Sequence, residues 1–253
     1  MIIAQYFLVI LLVDTRLIIV EAIALAATFN IKRVEEIGRA IATEARASGI
    51  HFCLSPVLGG CLKMLKLHTD LARDPRWGRV EEGYGECPYL TSQMAVAMVR
   101  GMQERGNLKS NTSVVAEMKH FAAHGSPAGG RNKASVKDGR RELYSQYLVP
   151  FREAVVTAGA RGVMCAYNEI DGIPNAANRE LMTQVLRDTW GFNGIVVSDL
   201  GAISMLVRPH AVAKNSADAL RQFHEAGGNV QFYDFEHDDY LEAVVNGMKS
   251  DEA

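Results

Sequence analysis

The sequence predicts an α/β fold organised around a parallel sheet, and three observations carry the prediction. Apolar strand-like runs such as Ile195-Val196-Val197 are continuous instead of alternating, as in strands buried on both faces. Helix-length amphipathic stretches separate these runs. Polar residues gather just after them, at Lys119-His120, Tyr167-Asn168 and Ser198-Asp199. A (β/α) barrel fits this arrangement best, because its reactive side chains sit at the carboxyl ends of the strands.

Taken in order, the chain begins with a nearly unbroken apolar stretch, Met1 to Val20, interrupted by Gln5, Asp14, Thr15 and Arg16. Two central charges argue against a membrane span, each costing about 2.5 to 3.5 kcal/mol at mid-bilayer. The stretch reads equally as an export signal, although it lacks a basic start and a clear cleavage site, or as two core strands around an Asp-Thr-Arg turn. Val34, Ile37, Ala40, Ile41 and Ala45 recur at helical spacing, and Gly49 ends that helix before a strand from Ile50 to Leu54. A polar connection, Asp74 to Gly85, precedes a helix from Tyr89 to Met102. A strand from Ser113 to Met118 then runs into Lys119-His120. A Gly/Pro/Asn-containing loop, Gly125 to Asn132, leads to a helix from Arg140 to Ala158 that Gly159 terminates. The strand Gly162 to Ala166, the helix Arg179 to Thr189, the strand ending at Asp199, the helix Ala217 to Ala226 and a short strand from Asn229 to Phe232 complete the alternation.

Composition narrows the partners. The chain has 253 residues with 48% hydrophobic content, enough for a large globular domain. A formal net charge of -2 provides no basic field for nucleic acid. Cys53, Cys61, Cys87 and Cys165 form no CxxC pair and no zinc-type Cys/His spacing, so they read as free, mostly buried thiols and no metal or cofactor is expected. Asp199 has two readings on its own residues: a nucleophile or base at a strand end, or the N-cap of the next helix.

Five motifs carry a resemblance. Ala22-Ile23-Ala24-Leu25-Ala26-Ala27-Thr28-Phe29-Asn30, Arg73-Asp74-Pro75-Arg76-Trp77-Gly78-Arg79, Lys119-His120-Phe121, Met164-Cys165-Ala166-Tyr167-Asn168 and Val197-Ser198-Asp199 resemble, in order and nearly in spacing, the signature series of family-3 glycoside hydrolases, the β-glucosidases and β-xylosidases. The resemblance runs from about Ala22 to the early 240s. It implies a (β/α)8 TIM-type barrel, here incomplete, that acts on terminal sugars of small or oligosaccharide β-glycosides with retention of configuration. It implies Asp199 as the nucleophile, and Arg79, Lys119, His120, Arg131 and Tyr167 as sugar ligands. A retaining glycosidase needs an ionised carboxylate beside the anomeric carbon and a second acid about 5 to 5.5 Å away. Neighbouring cations and hydrogen-bond donors lower the pKa of such a carboxylate. Arg79 is equally read as an ion-pair partner of Glu82 or Glu86, and His120 as a core histidine bonded to backbone.

The departures set further expectations. The family's acid/base usually lies in a second α/β domain that has no counterpart before Ala253, so residues 22–253 read as an incomplete barrel domain and residues 1–21 as an atypical apolar segment. His124-Gly125 matches only superficially a branch that uses a loop histidine as the acid. The family's Asp-Gly-Pro stretch has no counterpart in Met1 to Glu21. Gly59 to Thr69 read as an insertion, Cys87 stands where an Asp is common, and Leu200 where an aromatic is common. A non-catalytic sugar-binding remnant is therefore the alternative function. A phosphate-binding barrel finds only a poor match at Gly201-Ala202-Ile203 and Gly227-Gly228.

Overall fold

The structure is a computed structural model that describes residues 2–4, 21–57, 74–235, 241 and 245. Five parallel strands pair in sequence order: β1 (Ile2–Ala4), β2 (Ile50–Cys53), β3 (Val115–Phe121), β4 (Gly162–Cys165) and, last, β7 (Ile195–Ser198). Sequential parallel pairing with a helix returning between strands is the progression of a (β/α)8 barrel, and the described strands form a curled part of one. Between β4 and β7 lies a small antiparallel hairpin, β5 (Glu169–Ile170) with β6 (Ile173–Pro174), which the sequence pattern did not suggest.

Helices cover the outer face. α1 (Ala22–Ala27) and α2 (Ile31–Ala47) precede β2, α3 (Pro88–Met102) precedes β3, and α4 (Arg140–Glu142) with α5 (Val149–Val156) precedes β4. α6 (Ser204–Val207) and α7 (Ser216–Glu225) follow β7. Asn30 caps α2 by accepting the Arg33 N–H at 3.1 Å. Gly49 and Gly159 adopt positive φ (81° and 66°) just past their helices, as expected of helix-ending glycines.

The long helix expected from Arg140 to Ala158 is interrupted. Residues Leu143–Tyr147 widen into a π-helical turn, with the Leu148 N–H reaching back to the Leu143 carbonyl at 3.0 Å. Pro150 explains the break, since it has no N–H to donate one turn back and its ring crowds that carbonyl. Helix Glu180–Thr189 is π-type throughout, where the sequence pattern predicts an ordinary helix.

The expected strand from Asn229 to Phe232 is not formed. Only Val230 bridges to Val197. The Asn229 side chain takes the Val196 N–H at 2.9 Å, and the Phe232 N–H goes to the Ser198 hydroxyl at 2.8 Å, so side chains use the groups a ladder would need. Of the apolar amino-terminal stretch, β1 lies beside β2, while residues 5–20 fall outside the described residues, as does the 59–69 insertion.

Two cores result. The larger packs the helices on the outward-facing residues of the strands. The smaller lies on the inner face and consists of Phe52, Leu54, Met164 and Val197, flanked by Val115, Ile195, Val230 and Phe232. Gly162 makes room for it: a Cβ there would stand 2.9 Å from both the Phe52 ring and the Glu117 Cα. By strand alternation Val115, Glu117 and Lys119 of β3 share one face. The inner face therefore runs from an apolar floor to a charged rim.

Candidate active site

The rim assembles Asp199, Lys119, His120, Arg79 and Tyr167 from four separate parts of the chain. Asp199 follows β7 and is 6% exposed. Its Oδ1 accepts the Leu200 N–H at 2.8 Å, and its Oδ2 is buried with no hydrogen-bond partner. The N-cap reading of Asp199 therefore fails among the described residues. The N–H groups of Ile203 and Ser204, where α6 begins, are taken instead by Asp234 Oδ1 at 2.7 and 2.9 Å.

Arg79 takes up the ion-pair reading and also reaches the cluster. It forms a two-point ion pair with Glu82 (2.9 and 2.8 Å), and its Nη2 lies 3.2 Å from His120 Nε2. A guanidinium only donates, so Nε2 of His120 is the acceptor and Nδ1 carries the ring proton. That Nδ1 is buried and unpartnered. Burial, followed by the charges of Arg79 and Lys119 and by His124, holds His120 well below its usual pKa, so the ring is neutral. The 3.6 Å separation of His120 Nε2 from Asp199 Oδ2 is consequently a contact between two acceptors, not an ion pair.

Lys119 is 1% exposed, and burial brings its ammonium down to about 8. Glu117, Asp199 and Glu82 oppose that fall, while Arg79 adds to it. Asp199 departs from the expected behaviour of a nucleophile's carboxyl. Burial raises its pKa despite the Leu200 N–H, Lys119, Arg79 and the Tyr167 hydroxyl, all of which act to lower it. The cations and donors are present as expected, yet desolvation is the larger effect.

Further residues complete the cluster. Glu117 is fully buried, neither of its carboxylate oxygens has a hydrogen-bond partner, and burial lifts its pKa well above the ordinary range. A charged residue two positions before Lys119 on an otherwise apolar strand was the available signal. His124 packs edge-on against His120, with ring centroids 4.4 Å apart, and also meets Trp77 and Tyr167. Its Nε2 lies 2.9 Å from the Asn132 carbonyl, and burial pushes its pKa to about 3, so it is no store of protons. Trp77 Nε1 donates to Asn132 Oδ1 at 2.8 Å, joining the Arg79 loop to the loop after β3. Asn168 and Asn175 both donate to the Ala122 carbonyl, tying the β3 and β4 ends together.

Arg131 is the sequence-derived candidate that stays apart. It is exposed, and among the described residues its side chain makes no hydrogen bond or ion pair to the cluster. Leu200 is 51% exposed beside Asp199, and Cys87 caps α3 by accepting the Leu90 N–H at 3.5 Å. Cys53 and Cys165 are buried free thiols, and Cys61 lies outside the described residues. His120, His124 and Asp199 offer three ligand atoms within 4.8 Å of one another, a donor set a transition metal could use. Arg79 against His120 and the charge of Lys119 make the cluster better suited to uncharged hydroxyls than to a divalent cation.

Parallel strands in sequential order, with a buried acid at one strand end and cationic donors around it, define a barrel protein with a strand-end site. The family model for the Glycosyl hydrolase family 3 N terminal domain matches residues 15–253, and the chain belongs to this family. It is 37% identical over 228 residues to a periplasmic beta-glucosidase of Salmonella typhimurium, covering 90% of this chain and 28% of the relative. It is 39% identical over 223 residues to a putative beta-xylosidase of Formosa agariphila, covering 87% of this chain and 28% of the relative. The crystal structure of a beta-glucosidase from Listeria innocua in complex with isofagomine superposes with a TM-score of 0.81 at 34% identity, over 92% of this chain and 30% of that one. The chain thus spans less than a third of the relatives it matches.

Proposed function

We propose that the chain carries the glycone-binding half of a retaining β-glycosidase of the β-glucosidase or β-xylosidase type, with Asp199 as nucleophile. The observation that carries this reading is the state of the Asp199 carboxylate: Oδ1 is held by the Leu200 N–H, while Oδ2 is desolvated, unpartnered and set among donors. One oxygen is oriented and the other is left to bond the anomeric carbon, as the covalent step of a retaining enzyme requires. Lys119, the Nδ1–H of His120 and the Tyr167 hydroxyl supply donors to sugar hydroxyls. Arg79 acts mainly by holding His120 in that tautomer. Arg131 would have to swing inward to reach the sugar. The apolar floor of Phe52, Leu54, Met164 and Val197 backs the site. A β-glycoside with a terminal glucose or xylose is the substrate class, in keeping with the names of the relatives. The name of the Salmonella relative also supports an extracytoplasmic compartment.

The second reading, a sugar-binding chain without turnover, is favoured by the state of the candidate proton donors. Glu82 is locked to Arg79, and burial holds His124 far below its usual pKa. A dinitrophenyl 2-deoxy-2-fluoro-β-glucoside tests both readings, because its leaving group departs without a proton and the glycosyl-enzyme persists. Intact-mass analysis should show one added fluorosugar, mapped to the peptide containing Ser198-Asp199-Leu200. Asp199→Asn should reduce labelling by on the order of 10⁴-fold. Labelling at Glu82 or Glu86 would overturn the assignment, and a folded chain that takes no label supports the non-catalytic reading.

A further inference from the structure

Asp234 lies 35 residues beyond Asp199 in sequence yet is hydrogen-bonded to the chain on both sides of it. Asp234 Oδ2 accepts the Ser198 hydroxyl at 2.7 Å, immediately before Asp199. Asp234 Oδ1 accepts the N–H groups of Ile203 and Ser204 at 2.7 and 2.9 Å, just after it. Ser198 is fully buried, and its oxygen in turn accepts the Phe232 N–H at 2.8 Å, so the clamp closes on the segment that carries Asp234. Inside the clamped span the Gly201 N–H reaches the Phe232 carbonyl at 3.3 Å and the Ala202 N–H the Asp199 carbonyl at 2.9 Å. The Leu200 N–H, which fixes Asp199 Oδ1, lies within the same span.

We propose that Asp234 is a positioning residue for Asp199, pinning both ends of the loop from Ser198 to Ser204 so that the carboxylate keeps one aim. The proposal rests on the reading of Asp199 as the nucleophile. Its physical content is that several donors converge on one carboxylate, and hydrogen bonds to an ionised acceptor are roughly twice as strong as neutral ones. Without Asp234 the amides of Ile203 and Ser204 and the Ser198 hydroxyl lose their acceptor together. The Leu200 N–H then drifts, and Asp199 with it. Misplacement of a reacting group by about 1 Å costs on the order of 10²-fold in rate. Binding of the sugar, made chiefly by Lys119, His120 and Tyr167 on the β3 and β4 ends, should change little.

The test combines two measurements on the full chain and on Asp234→Ala, Asp234→Asn and Ser198→Ala. The first is the concentration dependence of labelling by the dinitrophenyl fluoroglucoside. Asp234→Ala should lower the limiting rate constant by about 10²-fold, while the half-saturating concentration moves by less than about 3-fold. Asp234→Asn keeps an acceptor for Ile203 and Ser204 and should lose less, as should Ser198→Ala. The second measurement is hydrogen–deuterium exchange, in which the peptide spanning Leu200 to Ser204 should exchange faster in Asp234→Ala while the β3 peptides are unchanged. Unaltered exchange in that peptide overturns the clamp whatever the labelling shows, and faster exchange with an unaltered rate constant overturns the positioning role. Should the unsubstituted chain take no label, the nucleophile reading falls, and exchange still decides whether Asp234 holds the loop. If Asp234→Ala unfolds, Asp234→Asn and Ser198→Ala carry both measurements.

Discussion

The ends of β3 and β7 face the same site with opposite hydrogen-bonding states. At the β3 end both oxygens of Glu117, Nδ1 of His120 and, in the following loop, Nδ1 of His124 are buried without partners. At the β7 end Ser198 and Asp234 use their polar atoms in a closed network, and only Oδ2 of Asp199 is left over. A buried donor or acceptor without a partner costs about 1 to 3 kcal/mol, so the β3 end is destabilised in a way the β7 end is not. The two ends divide the work. β7 fixes the orientation of the Asp199 carboxylate, and β3 presents desolvated polar groups to the same rim. Unpaired groups of this kind are typical of sites where stability is given up for function.

Substitution at Lys119 should break this contrast most severely. Lys119→Ala removes the charge that most nearly offsets the desolvation of Asp199, along with the proposed donor to the sugar. Labelling should slow by on the order of 10²-fold. The pH profile separates the two losses. Asp199 is raised, so the rate should fall as pH drops through a value higher than that of an unperturbed Asp carboxyl, and Lys119→Ala should move that acid limb to still higher pH. A slower rate with an unmoved limb would leave Lys119 a sugar ligand only.

A smaller effect, on stability, is expected at Glu117. Its folded pKa is raised, so the folded chain binds a proton that the unfolded chain has already released above the usual carboxylate pKa. Its contribution to stability is full below that pKa and is lost as pH rises through the folded value. Glu117→Gln cannot titrate, so urea midpoints of the two proteins should converge near pH 4 and separate toward pH 8, with the variant ahead by about 1 to 3 kcal/mol. Parallel midpoint curves would show that Glu117 has a partner in solution. The smallest change is expected away from both strand ends. Cys87→Asp gives α3 a better N-cap and should add about 0.5 to 1 kcal/mol while leaving labelling untouched, as thermal unfolding and labelling kinetics would show.

Much of the site was legible because each of its central residues lies at or next to a strand end. Lys119 and His120 end one apolar run, Tyr167 another and Asp199 a third, and parallel pairing brings consecutive strand ends to one rim. Arg79 was legible only through the family motif, since it lies on a loop and reaches the rim through Glu82 and His120. Arg131 shared a motif loop with Asn132, yet Asn132 is the residue turned inward, toward Trp77 and His124. Loop residues have no fixed period, so motif position alone did not tell which of two neighbours points to the site. The strand expected near Phe232 failed for a related reason, as side chains of Asn229 and Ser198 took backbone groups that a pattern of apolar residues cannot reveal.

By itself the sequence determined the alternation of parallel strands and helices, and the acid and the Lys-His pair near strand ends, because those follow from local periodicity and from where chain polarity changes. Tertiary structure alone decided three things: that Asp234 and not Asp199 takes the amides at the start of α6, that His120 is neutral with its proton on Nδ1, and that burial outweighs the surrounding cations at Asp199. Each depends on atoms separated by tens of residues and brought within about 3 Å by strand register and loop packing, and at that range both hydrogen bonding and desolvation vary too steeply with position to be read from spacing.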